Sequence, residues 1–156
     1  MLDELRELYQ EVILDHGRHP RNHRRPENAN REARGDNPIC GDRIAVYLKL
    51  GADGTIEDAA FIGRGCAISQ ASASMMTEIV KGRSADAAKA LFASFQEMCT
   101  RDDYDAATHP EADPEAMERL AVMSGVREFP MRVKCATLAW HTLNAAMEGQ
   151  DTVSTE

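Results

Sequence analysis

The run Asn37-Pro38-Ile39-Cys40-Gly41-Asp42 stands immediately before an alternating segment, and the two read together decide the fold. Proline stiffens the approach, glycine frees the turn, and a thiol and a carboxylate sit two positions apart. From 42 to 50 the chain alternates, with Ile44, Val46, Leu48 and Leu50 on one side and Arg43, Tyr47 and Lys49 on the other. A period of two is that of a half-buried strand, and Asp42 stands at its start. Gly51-Ala52-Asp53-Gly54 supplies turn chemistry and residues 55–62 suit a returning strand, so the pair predicts an antiparallel hairpin. Such a hairpin brings its far end, residues 63–66, back beside residues 40–42. Cys66, within Gly65-Cys66-Ala67-Ile68-Ser69, is thereby carried to Cys40 and Asp42.

On the N-terminal side, Leu2, Leu5, Leu8, Tyr9, Val12 and Ile13 recur at helical spacing, which predicts an amphipathic helix ending near His16-Gly17. Residues 18–38 hold Pro20, Pro26, Gly35 and several asparagines, and read as an extended loop. On the C-terminal side, residues 67–81 read as a tightly packed helix stopped by Gly82, with Cys66 at its N-terminal edge. There the helix dipole favours a thiolate. Ser84 caps a further helix that ends at Cys99. Residues 100–126 read as an acidic insertion: an exposed stretch broken by Pro110 and Pro114, then a short helix from Pro114 to about Met123 that Gly125 ends. Residues 131–147 are apolar nearly all round and predict a helix buried on more than one side, with Cys135 near its start. The last residues, 149–156, are small and polar and are expected to fray, leaving a single domain over 1–148.

Composition sets the chemical context. A chain of 156 residues can bury a sufficient core without cysteine staples. No apolar run approaches the roughly 18 residues of a membrane helix, and the acidic start carries no signal-like segment. The expectation is a cytoplasmic protein with reduced thiols and no membrane partner. A net charge of −8 argues against a phosphate backbone as ligand, so no nucleic-acid partner is expected. Against that background Arg18, Arg21, Arg24, Arg25, Arg31 and Arg34 form a local cationic run, either a solvated loop or a strip for an acidic protein surface.

Four cysteines without a Cys-x-x-Cys pair exclude the zinc-ribbon and thioredoxin-like patterns. Cys40, Cys66 and Cys135 each lie in a turn or at a helix start beside glycine or a cation, where thiolates are stabilised. With Asp42 they form a candidate Cys3Asp site, a donor set that fills the four corners zinc favours. Cys99 has no such neighbours and reads as a small buried hydrophobe. His16, His19 and His23 cluster in sequence but lack the register of a metal site, while His141, Met75, Met76 and Met98 read as packing residues.

At these motifs the sequence resembles the IscU-like family of iron-sulfur cluster assembly proteins, and within it the SufU branch. The opening helix resembles the family's at Leu8-Tyr9 through Asp15-His16 with Pro20-Arg21-Asn22, and the ligand loops at residues 37–42, 65–69 and Arg132-Val133-Lys134-Cys135-Ala136-Thr137-Leu138. Lys134, where IscU-type scaffolds carry histidine, and the acidic insertion at about 100–126 point to SufU. The resemblance implies an α+β fold, a small antiparallel sheet covered by helices, with zinc held by Cys40, Asp42, Cys66 and Cys135. It implies a sulfurtransferase whose Cys40 accepts persulfide sulfur from a SufS-type, pyridoxal-phosphate-dependent cysteine desulfurase and passes it to downstream iron-sulfur assembly components. Arg132 is the candidate for guiding anionic sulfur. The alternative is a scaffold on which a transient iron-sulfur cluster is built from the same four residues.

Overall fold

In the computed structural model, which describes residues 2–154 with side chains from residue 6 onward, the elements run α1 (Leu2–Arg18), β1 (Arg31–Asn37), β2 (Asp42–Leu50), β3 (Ile56–Arg64), α2 (Ala67–Val80), α3 (Ala85–Thr100), α4 (Pro114–Leu120), α5 (Pro130–Met147) and β4 (Thr152–Ser154). Two 3₁₀ segments, Ala106–Thr108 and Ala121–Glu128, link the later helices. The expected hairpin is β2–β3, in register from Arg43 opposite Arg64 to Leu48 opposite Ala59. Its inward residues, among them Val46, Leu48, Ala59 and Phe61, are fully buried.

The sheet order is β3-β2-β1-β4. β1 lies in the segment expected to be a loop, because Arg31–Asn37 has no β-branched or aromatic residue and only Ala33, Gly35 and Asn37 face inward. Tertiary packing decides it instead: a Cβ at Gly35 would collide with Thr142 and Leu138, so glycine is what lets β1 lie against α5. The tail expected to fray is partly ordered, since Thr152–Ser154 pairs with β1. That pairing is parallel, so the sheet is antiparallel only across β3, β2 and β1.

α2 and α5 cover the inner face of the sheet, α1 packs on α2, and α3 packs on α5. α5 is buried continuously from Cys135 to Trp140, as its apolar surround predicts. Ser72 of α2 donates to the Ala136 carbonyl of α5, tying the two central helices together. The acidic segment is no mere appendage: Met117, Leu120, Met123 and Val126 enter the main core. Its 3₁₀ stretch runs through Gly125 rather than stopping there. Among the described residues, no helix is long and apolar enough to cross a membrane.

Candidate metal centre

β1 and β2 are joined by a turn whose Gly41 N–H donates to the Asn37 carbonyl at 2.8 Å. Gly41 has φ 74°, a left-handed conformation that glycine adopts without strain. The turn places Cys40 on an exposed tip and returns the chain to Asp42, which is buried directly opposite Asn37.

β3 then delivers Gly65 and Cys66 to the same point. A Cβ on Gly65 would overlap Asp42 Oδ1, so the close approach requires glycine. The Cys66 N–H donates to that oxygen at 3.0 Å, and Cys66 caps α2, its Sγ accepting the Ser69 N–H at 3.4 Å. Cys135 arrives from the second turn of α5, buried, with its Sγ 3.7 Å from Cys40 Sγ. The ligand atoms of Cys40, Asp42 and Cys135 all lie within 4.8 Å of one another. Cys66 borders this trio through its N–H bond to Asp42.

Two thiolates bound about 2.3 Å from one tetrahedral ion stand roughly 3.8 Å apart, which the Cys40–Cys135 separation of 3.7 Å matches. The charge balance also suits a cation. The neighbouring Cys135 thiol, with the N–H groups at the start of α2, pulls the Cys66 pKa down to about 6. Cys66, burial and Asp42 in turn push the Cys135 pKa up. Asp42 Oδ2 is buried without a partner, as are both amide atoms of Asn37. Each such buried group costs about 1–3 kcal/mol if nothing satisfies it. An unpartnered carboxylate oxygen among three thiols is a donor set suited to a thiophilic divalent ion.

The other candidates separate from this cluster. Arg132 is exposed at the first turn of α5, its guanidinium 4.5 Å from the Phe129 ring centroid. Cys99 is buried, and burial pushes its pKa up to about 12, the inert thiol expected. His16 hydrogen-bonds Ser74 of α2, His23 packs edge-on to Phe61, and His141 packs against Phe92. Met75, Met76 and Met98 lie in the core. Of the arginine run, Arg21, Arg24 and Arg34 pair with Asp15, Asp58 and Glu32, and Arg25 lies over Tyr47. The sequence reading did not anticipate the burial of Asn37 or the exposure of Ile39, Phe129 and Met131 around the site.

Fold and donor set together define a small α+β domain that closes two thiols and a carboxylate around one point, with a third thiol at the border. The chain belongs to the NifU-like N-terminal domain family, whose model matches residues 8–136. It is 39% identical over 144 residues to the zinc-dependent sulfurtransferase SufU of Bacillus subtilis, covering 92% of each chain. It is 38% identical to the iron-sulfur cluster assembly scaffold protein IscU of Streptococcus pyogenes, covering 94% of this chain and 87% of that one. The crystal structure of a Fervidobacterium islandicum protein, named for iron-sulfur cluster assembly in the SUF system, superposes with a TM-score of 0.76 at 33% identity, covering 90% of this chain and 97% of that one.

Proposed function

We propose that this protein is a cytoplasmic, zinc-dependent sulfurtransferase that accepts persulfide sulfur from a SufS-type cysteine desulfurase and delivers it for iron-sulfur cluster assembly. The observation that carries this reading is the inequality of the donors: Asp42 and Cys135 are buried, Cys66 is exposed but tied to Asp42 and to the Ser69 N–H at the start of α2, and Cys40 stands exposed on the tip of a turn. Zinc, when held by Cys40, Asp42, Cys66 and Cys135, supplies a Lewis acid that keeps the thiols deprotonated. Of the two exposed thiols, Cys40 is the one on a turn rather than at a helix cap, and so the one free to meet a partner. Its thiolate attacks the outer sulfur of the desulfurase persulfide; a new sulfur–sulfur bond forms on Cys40, the old one breaks, and the desulfurase cysteine leaves as thiolate. Charge and electrons balance without an added oxidant or reductant. Asp42, Cys66 and Cys135 anchor the site, and Arg132, three residues before Cys135 on α5, guides the anionic sulfur.

The rim of the site supports a protein partner. Arg43 and Arg64, opposite each other at the end of the hairpin, and Arg132 and Lys134, at the start of α5, neighbour the ligand residues in the chain and make no ion pair with the described residues, in a chain of net charge −8. Ile39, Phe129 and Met131 expose apolar surface beside them. Cations interleaved with apolar side chains suit an acidic surface carrying an apolar anchor.

The second reading is a scaffold for a transient iron-sulfur cluster on the same four residues, favoured by the scaffold names of the Streptococcus and Fervidobacterium relatives. Metal analysis of protein purified without oxygen, with sulfide release from cysteine measured with and without the desulfurase, separates the two. Zinc with stimulated release, lost in Cys40→Ala, is the expected result. A visible chromophore and no stimulation indicates the scaffold.

A further inference from the structure

Asn37 is fully buried, and neither its amide nitrogen nor its amide oxygen has a hydrogen-bond partner. Folding alone does not ask for this residue. An apolar side chain of similar size would fill the same space without stripping an amide of water, and asparagine is a poor strand former. Its place in the ladder supplies the reason. Asn37 is the residue directly opposite Asp42, and facing residues of an antiparallel pair project on the same side with Cβ atoms about 5 Å apart.

Asp42 is already held on one flank. Its Oδ1 takes the Cys66 N–H, and Gly65 packs against the same oxygen. Its Oδ2 has no partner and is buried. A donor and an acceptor, both buried and unsatisfied, thus stand at facing positions at the edge of the thiol cluster.

We propose that Asn37 is a positioning residue for the metal site: its buried amide, unpaired in this structure, is the donor the facing Asp42 carboxylate takes up when it holds a divalent ion, and it sets the plane of that carboxylate. The inference rests on the metal reading of the site and is independent of sulfur transfer. It makes Asn37 a place where metal affinity is favoured at the expense of stability, since the amide gains its partner only by serving Asp42.

The test is Asn37→Leu in the full chain, measured three ways. Competition with a chromophoric zinc chelator should show zinc affinity falling about 10–100-fold, the usual effect of removing a hydrogen bond to a ligating side chain. Replacing zinc by cobalt should give a shifted visible ligand-field spectrum relative to wild type. The denaturant midpoint of chelator-treated protein should be unchanged or higher, because the buried Asn37 amide makes no hydrogen bond that the variant would lose. Unchanged zinc affinity or an unchanged cobalt spectrum overturns the proposal. So does a lower midpoint or a failure to fold, either of which would make the amide a structural part of the strand. A wild-type chain that binds neither ion overturns it together with the metal reading, whereas zinc binding without sulfur transfer leaves it standing.

Discussion

Around Trp140, the rings of Phe95 and Phe92 lie 5.4 Å and 6.4 Å from the indole centroid-to-centroid, and only the indole Nε1 lacks a partner. At the other end of α5, by contrast, two facing residues, Asn37 and Asp42, leave three buried polar atoms unsatisfied, and three thiols press together. Asn37, Asp42 and Cys135 are buried as Trp140 and Phe95 are, yet the two regions are built to opposite rules. The aromatic region removes apolar surface from water and holds the helices on the sheet. The thiol region concentrates groups that repel one another or lack partners, as a site does when its geometry is set for a ligand rather than for folding.

The comparison can be broken most forcefully by exchanging the fates of the two regions. Trp140→Ala should lower unfolding free energy by about 3–5 kcal/mol, read by denaturant titration of chelator-treated protein, while the folded variant keeps its zinc stoichiometry. Cys135→Ala should do the reverse, abolishing zinc binding and bringing the melting temperature of zinc-supplied protein down to that of chelated wild type. Loss of zinc in the tryptophan variant, or retention in the cysteine variant, would undo the distinction.

A smaller effect belongs to the α1–α2 contact, which is part of neither region. His16 accepts burial against Ser74, and burial is the chief cause of its lowered pKa, with Arg21 and Arg119 adding to it and Glu78 and Asp15 opposing. The unfolded chain therefore takes up the proton first as pH falls below about 6.5, and stability drops with it. His16→Gln should flatten the fall in denaturant midpoint of chelated protein between pH 7.5 and 5.5. His141, shifted the same way by burial, and the Cys66 thiol, whose pKa stands at about 6, leave a residual slope of the same sign. An unaltered slope would mean that His16 does not titrate against the fold.

Much of this organisation is legible in the sequence because it is carried by local pattern. Strict alternation from Ile44 to Leu50 marks β2, the glycines at 51 and 54 mark its turn, and Ser84 marks the start of α3. The approach of Cys66 to Cys40 and Asp42 follows from the hairpin, whereas the arrival of Cys135 depends on the packing of α5 against β1 and β2. What stayed hidden depends on contacts distant in sequence. β1 is a strand because Gly35 admits Thr142 and Leu138 of α5, which nothing within residues 31–37 announces. The acidic segment reads as exposed because its charges dominate, while Met117, Leu120, Met123 and Val126 enter the core at irregular spacing. Asn37 looks like a turn residue beside Pro38, and its burial against Asp42 is a property of strand pairing rather than of composition.

The central claim is that the thiol on the turn tip, Cys40, moves sulfur while Asp42, Cys66 and Cys135 hold the site. Its most direct test is peptide mass spectrometry after the protein is incubated, without oxygen, with cysteine and its cognate desulfurase. The account predicts an added sulfur atom on the peptide containing Cys40 and none on those containing Cys66, Cys99 or Cys135. Added sulfur on Cys66 or Cys135 with Cys40 unmodified would contradict it.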